Sequence, residues 1–124
     1  MYLAYDALSL GMKRMLDGMT AVHSARRPYG PRSDWFPTQR AMAIRHSNSA
    51  QAEIEHPVVR THPETGRKGL FVNSTFTIRF SGMSEEESAP LLDYLYSHLV
   101  RPEFTCRLHW SANAIAFRDN PLRA

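Results

Sequence analysis

A single cysteine, Cys106, stands in the 124 residues. It rules out an internal disulfide framework and fits a reducing compartment. No apolar run approaches the roughly 20 residues that a membrane-spanning helix requires. The first residues also lack the basic-then-apolar order of a secretory leader. Positive charge is only slightly in excess: 15 Lys and Arg against 12 Asp and Glu leave a net +3. The basic residues are scattered instead of gathered into a stripe, which argues against a nucleic-acid partner while leaving room for a small anion. At 43% apolar and 22% charged the composition is that of a folded chain, not a disordered one. What remains is one domain with a moderate core, expected in the cytoplasm, with neither nucleic acid nor membrane as partner.

The pattern from Met1 to about Met19 predicts an amphipathic helix. Tyr5, Leu8, Met12, Met15, Leu16 and Met19 recur at three- and four-residue spacing, with Asp6, Lys13, Arg14 and Asp17 between them. Thr20 to about Arg40 reads as irregular, and its Arg26-Arg27-Pro28-Tyr29-Gly30-Pro31-Arg32 run as an exposed loop. That loop suits either a solvated connector or a lid over a site. Ala41 to Glu55 is a weakly specified helix or linker, interrupted by Ser47-Asn48-Ser49.

The centre is the most informative stretch. His56 to Phe80 reads HPVVRTHPETGRKGLFVNSTFTIRF. Val58 and Val59 are set against Leu70-Phe71-Val72 across a turn carrying Pro63 and Gly66, which predicts a hairpin. Thr75 to Phe80 then alternates as a third strand, with Phe76, Ile78 and Phe80 on one face and Thr77 and Arg79 on the other. Ser84-Glu85-Glu86-Glu87 carries a capping box for a helix with Leu91, Leu92, Leu95 and Leu99 as its buried stripe. Pro90, six residues past Ser84, favours Ser88 as an alternative cap. Phe104 to Trp110 alternates again, and Ala114 to Phe117 reads as a short final strand. Strands and helices in this order make an α+β chain.

HPVVRTHPETGRKGLFVN followed by FTIRF resembles the central segment of the taurine dioxygenase (TauD/TfdA) family, and the likeness extends from Tyr2 to Asn120. The resemblance implies part of a double-stranded β-helix, or jelly roll, with flanking helices. It implies oxygen activation at Fe(II), decarboxylation of 2-oxoglutarate to succinate, and hydroxylation of a small, often anionic substrate. It places Phe76 where the family has an aromatic residue lining the substrate pocket, and Tyr29 at another such position. For Phe76, core packing is an equal reading. Asn73 is read as structural.

Iron of this kind is held by two histidines and a carboxylate on one side, leaving the opposite positions open. By the resemblance, the His-x-Asp pair and a 2-oxoglutarate-binding threonine belong upstream of Met1. The distal His and the arginine that anchors 2-oxoglutarate belong beyond Asp119-Asn120. Residues 1–124 are therefore expected to be a single partial dioxygenase domain. It would have no catalytic or metal-binding residue of its own, bind neither Fe(II) nor 2-oxoglutarate, and have open sheet edges that favour a homo-oligomer. His62-Pro63-Glu64 is formally His-x-Glu, with His109 further on, but the proline and the turn argue against a metal site. His23, His46, His56 and His98 read as surface or hydrogen-bonding side chains.

Two further readings stand beside this one: a non-enzymatic basic binding domain, and an enzyme completed by a second chain. Salt-sensitive partner binding would mark the first. Succinate release that requires both chains and oxygen would mark the second. Arg118 stands where the family usually has Trp. Pro121-Leu122-Arg123-Ala124 can be encoded so that deleting one base yields Arg-Cys-Val followed by Gln or His, an ordinary approach to the distal histidine. A one-base insertion after Asn120 is therefore expected. Sequencing the locus on both sides checks it: a metal-binding continuation should lie in another frame, and its absence there refutes the insertion.

Overall fold

The computed structural model describes residues 1–31, 33 and 46–117. The helix expected over Met1–Met19 is two helices, α1 (Tyr2–Asp6) and α2 (Leu10–Leu16). Ser9 breaks the run. Its backbone is extended and its hydroxyl accepts from the Met12 amide at 3.2 Å, so it serves as the cap of α2 and not as an interior helical residue. Ala4, Leu8 and Leu16 are buried and Met12 half-buried, whereas Met15 is exposed. The apolar stripe therefore survives the break in part.

The larger correction concerns Thr20–Arg40. Thr20–Ser24 is a strand, β1, and Arg26–Tyr29 is a single helical turn, α3. β1 lies at the centre of an antiparallel sheet with order β2-β1-β5, where β2 is Glu53–Pro57 and β5 is Thr77–Phe80. Ala21 faces His56 on one side and Phe80 on the other, and a bulge falls between Val22 and His23. Ala21 to Ser24 are all buried, so the strand carries no alternation from which it could be recognised. Ala41–Glu55 is likewise not one helix: its described part is a 3-10 turn at Asn48–Gln51 followed by the start of β2. Residues 32 and 34–45 of these two segments lie outside the described residues, as do Arg118, Asp119-Asn120 and the final four residues.

The central hairpin forms as its sequence implies. β3 (Val59–Thr61) pairs antiparallel with β4 (Lys68–Leu70), in the register Val59 to Leu70 and Thr61 to Lys68. The turn is closed by the His62 amide on the Arg67 carbonyl (2.8 Å) and the Gly66 amide on the His62 carbonyl (2.9 Å). α1 packs on β4 so closely that a Cβ on Gly69 would sit 3.1 Å from the Tyr2 ring. The third strand starts two residues later than expected, at Thr77. Its two-faced pattern is also altered: Thr77 is as buried as Ile78 and Phe80, because β5 is covered on both sides.

α4 (Glu85–Leu99) has the complete capping box, with the Glu87 amide on Ser84 Oγ (3.1 Å) and the Ser84 amide on Glu87 Oε2 (2.8 Å). Ser84, not Ser88, is the cap, and exposed Pro90 sits within the helix. Ser88 has another task. Its buried hydroxyl accepts from the Phe80 amide at 3.0 Å and donates to the Ser84 carbonyl at 2.7 Å, joining the end of β5 to the start of α4. Leu92 and Leu95 then close the core over Ala4, Leu16, Ala21, Val58, Leu70 and Phe80.

The two last expected strands are absent. Apart from a 3-10 turn at Pro102–Phe104, residues 105–117 carry no strand and are exposed, with Trp110 at 69% and Phe117 at 93%. Alternation alone does not make a strand: the backbone groups need a neighbour, and none pairs with them among the described residues. No described helix is long and apolar enough to cross a membrane. Ser88→Ala is expected to strand the Phe80 amide and lower stability by about 1–3 kcal/mol, read as a lower urea midpoint.

Candidate functional site

The end of β1 at Ser24 organises the residues expected to line a pocket. The Ser24 amide donates to the Phe76 carbonyl at 2.8 Å, and the Ala25 carbonyl accepts from the Tyr29 amide at 2.9 Å. Phe76 and Tyr29 are thus tied to adjacent residues of one chain segment. Both side chains remain partly open, at 37% and 38% exposure. Asn73 shapes the Phe76 turn: its Oδ1 accepts from the Thr75 and Phe76 amides, at 3.1 and 2.8 Å. Arg27 Nη1 donates to the Thr77 carbonyl at 3.2 Å and straps α3 to the same turn. The Tyr96 hydroxyl reaches that carbonyl from α4 at 3.1 Å, and burial pushes the phenol above its ordinary pKa. Gly30 ends α3 where a Cβ would collide with the Arg26 carbonyl oxygen.

The basic run that reads as an exposed loop is engaged in ion pairs. Arg26 pairs with Glu85 and, at 3.6 Å, with Glu53. Arg27 lies 3.6 Å from Glu85, and Arg79 lies 2.9 Å from Glu53. Three cations and two carboxylates therefore bind α3, β2, β5 and the start of α4 together. Each pair is partly exposed and individually weak, so the network positions the elements more than it stabilises them.

A second cluster was hidden from sequence reasoning. The His23 ring stacks on Phe71, with centroids 5.2 Å apart and planes 9° apart. His56 stands edge-on to both rings, at 5.1 and 5.2 Å. The Arg60 guanidinium lies 5.1 Å from the Phe71 centroid. These residues come from β1, β2, β3 and the residue after β4, so no local spacing joins them. The available signal was the strand parity of His23, which requires β1 to be recognised first. His23 Nε2 meets Thr77 Oγ1 at 3.3 Å. The His23 pKa is lowered to about 4, first by burial and then by the neighbouring His56, with a hydrogen bond to the Phe71 backbone partly offsetting both.

These residues do not fit a ferrous centre. Among the described residues no group of three or more His, Cys, Asp or Glu side chains could hold a metal ion. His62 Nδ1 accepts from the Glu64 and Thr65 amides, at 3.2 and 3.3 Å, so the His-x-Glu element is a turn device. His109 and Cys106 are exposed in the irregular tail. Buried His98 places Nε2 at 2.7 Å from the Ala4 carbonyl, a structural bond between α4 and α1.

Comparison with known proteins defines the class. A Burkholderia xenovorans taurine dioxygenase superposes with a TM-score of 0.67 at 34% identity, over 90% of this chain and 32% of its own. AAD-2, solved with Mn(II) and N-oxalylglycine, gives 0.70 at 27% identity, over 90% of this chain and 41% of its own. A Schizosaccharomyces pombe protein named for alpha-ketoglutarate-dependent sulfonate dioxygenase activity is 38% identical over 120 residues, covering 96% of this chain and 29% of that protein. The fold is thus that of alpha-ketoglutarate-dependent dioxygenases. The chain belongs to the taurine catabolism dioxygenase TauD, TfdA family, which matches residues 1–122. It spans about a third of the length of these relatives.

The folded chain keeps His23 neutral down to about pH 4, whereas the unfolded chain takes up that proton near the ordinary 6.5. Between these values the unfolded state binds more protons, so stability is full above pH 6.5 and falls as pH is lowered through the window. Urea midpoints measured from pH 7 to pH 4 are expected to drop, and His23→Gln is expected to flatten the fall. An unchanged slope in the variant would assign the fall to other groups.

Proposed function

We propose that residues 1–124 form the partial domain of an Fe(II)- and 2-oxoglutarate-dependent dioxygenase that supplies substrate-pocket wall and scaffold, while the iron ligands come from polypeptide outside it. The observation that carries this reading is a family match across almost the whole chain, together with no group of three or more His, Cys, Asp or Glu among the described residues that could hold a metal ion. The antiparallel sheets would be part of a double-stranded β-helix. The complete reaction would hydroxylate a small anionic substrate, with one oxygen atom of O₂ entering substrate and the other entering succinate as 2-oxoglutarate loses carbon dioxide. Phe76 and Tyr29 would touch the substrate, and Asn73, Arg27 and Tyr96 would hold the Phe76 turn in place.

AAD-2 was solved with Mn(II) and a molecule shaped like 2-oxoglutarate, which supports that co-substrate for the family. The basic-domain alternative is disfavoured because Arg26, Arg27 and Arg79 are engaged with Glu53 and Glu85 and do not form a free cationic face. The open edges of the sheets favour self-association of the chain.

The chain alone is expected to retain no ferrous ion in equilibrium dialysis and to release no succinate from 2-oxoglutarate. A chimaera carrying a relative's flanking segments around residues 1–117 is expected to regain oxygen-dependent turnover. In it, Phe76→Ala and Tyr29→Ala should each raise KM roughly tenfold, the cost of a partly buried aromatic wall. One tightly held equivalent of iron with matching turnover in the chain alone would overturn the reading.

A further inference from the structure

Thr77 is sealed from water, and its amide, hydroxyl and carbonyl are all engaged. Its amide donates to the Asn73 carbonyl at 3.0 Å, and its Oγ1 accepts from the Asn73 amide at 3.0 Å. The loop from Asn73 to Thr77 is thus closed by two bonds between its ends. Within it, Asn73 Oδ1 holds the Thr75 and Phe76 amides. The backbone at Phe76 is fixed by the grip of Asn73 and Thr77 on each other.

A hydroxyl has a single proton to give. Thr77 Oγ1 takes the Asn73 N–H, and its own proton has His23 Nε2 within reach at 3.3 Å. Donation in that direction requires Nε2 to be unprotonated. The ring proton then sits on Nδ1, where the bond to the Phe71 backbone gives it an acceptor. Three bonds therefore run one way: Asn73 amide to Thr77 hydroxyl, Thr77 hydroxyl to His23 Nε2, and His23 Nδ1 to the Phe71 backbone. Bonds aligned in this manner polarise and strengthen one another. The stack on Phe71 and the edge of His56 keep the imidazole in that orientation.

We propose that His23 is a positioning residue for Phe76, held in its Nδ1–H form and keeping the Asn73–Thr77 loop closed by accepting the Thr77 proton. A second proton on His23 breaks the relay. Nε2–H then faces a hydroxyl that already accepts from Asn73, and the Thr77 proton has to find another acceptor. The loop loosens, and the Phe76 backbone with it. Desolvation keeps that proton away near neutrality. Facing the relay are His56 and Arg60 around the Phe71 ring, and Arg27 and Tyr96 on the Thr77 carbonyl. The consequence for substrate rests on the reading of Phe76 as pocket wall. The relay itself is measured without iron, 2-oxoglutarate or turnover, so its failure would leave the dioxygenase reading standing.

The test is NMR of the isotope-labelled 124-residue chain. Long-range proton–nitrogen correlation at pH 7 is expected to show His23 protonated at Nδ1 and bare at Nε2. Thr77→Val should speed hydrogen exchange at the Asn73 and Phe76 amides roughly tenfold, whereas Thr77→Ser, which keeps the hydroxyl, should stay within about twofold of the parent. As the pH is lowered from 7, those two amide signals should move together with the His23 ring. His23→Gln, whose side-chain oxygen can accept the Thr77 proton, should keep both amides protected and abolish the movement. If the chain unfolds before His23 titrates, the ring proton and the Thr77 variants decide; if Thr77→Val does not fold, the ring proton and His23→Gln decide. An Nε2–H form at pH 7, exchange unchanged in Thr77→Val or equally fast in Thr77→Ser, movement persisting in His23→Gln, or amides that follow the His56 ring would each overturn the proposal.

Discussion

The backbone of β1 has to be paired on both edges, because Ala21 to Ser24 are removed from water. An unpaired amide or carbonyl there would cost about 1–3 kcal/mol, as much as burying a large apolar side chain returns. The partners come from Glu53–Pro57 and from Thr77–Phe80, so the centre of the molecule is built from segments distant in sequence. Once these pairings form, other features follow. The Phe76 turn is held at the Ser24 end, Phe80 reaches Ser88, and α4 can close over the core. The β1 pairing thus sets the positions of Phe76, Tyr29 and the His23–Phe71 stack.

The parts legible in the sequence were those with local causes. The hairpin around His62–Gly66 has its turn chemistry between its two strands, and the Ser84–Glu87 box satisfies its own backbone within four residues. β1 was illegible because burial on both faces removes alternation, and in so short a segment Thr20 and Val22 alone favour a strand. The tail shows the opposite error. Phe104 to Trp110 alternates, yet periodicity describes only which face a strand would bury, not whether a partner exists. Of the candidate site, Phe76 and Tyr29 came from resemblance to a family and not from any physical pattern. The cluster of His23, His56, Arg60 and Phe71 could not be read, since it depends on the pairing of β1 with β2.

The charges divide into two kinds. Arg26, Arg27 and Arg79 share carboxylates, partly exposed, and act together as fasteners among four elements. Arg60 has an aromatic face where the others have a carboxylate. His23 is held neutral against the same ring, so the environment around Phe71 excludes one positive charge while retaining another. The difference is chemical: an imidazole can shed its proton to escape desolvation, and a guanidinium cannot.

The irregular run after Phe104 has a consequence for the life of the polypeptide in a cell. Leu108, Trp110, Ile115 and Phe117 stand in water with little around them, the pattern by which holdases and degradative machinery tell unfinished molecules from finished ones. Polypeptide that paired with residues 105–117 would cover those four side chains and remove that signal.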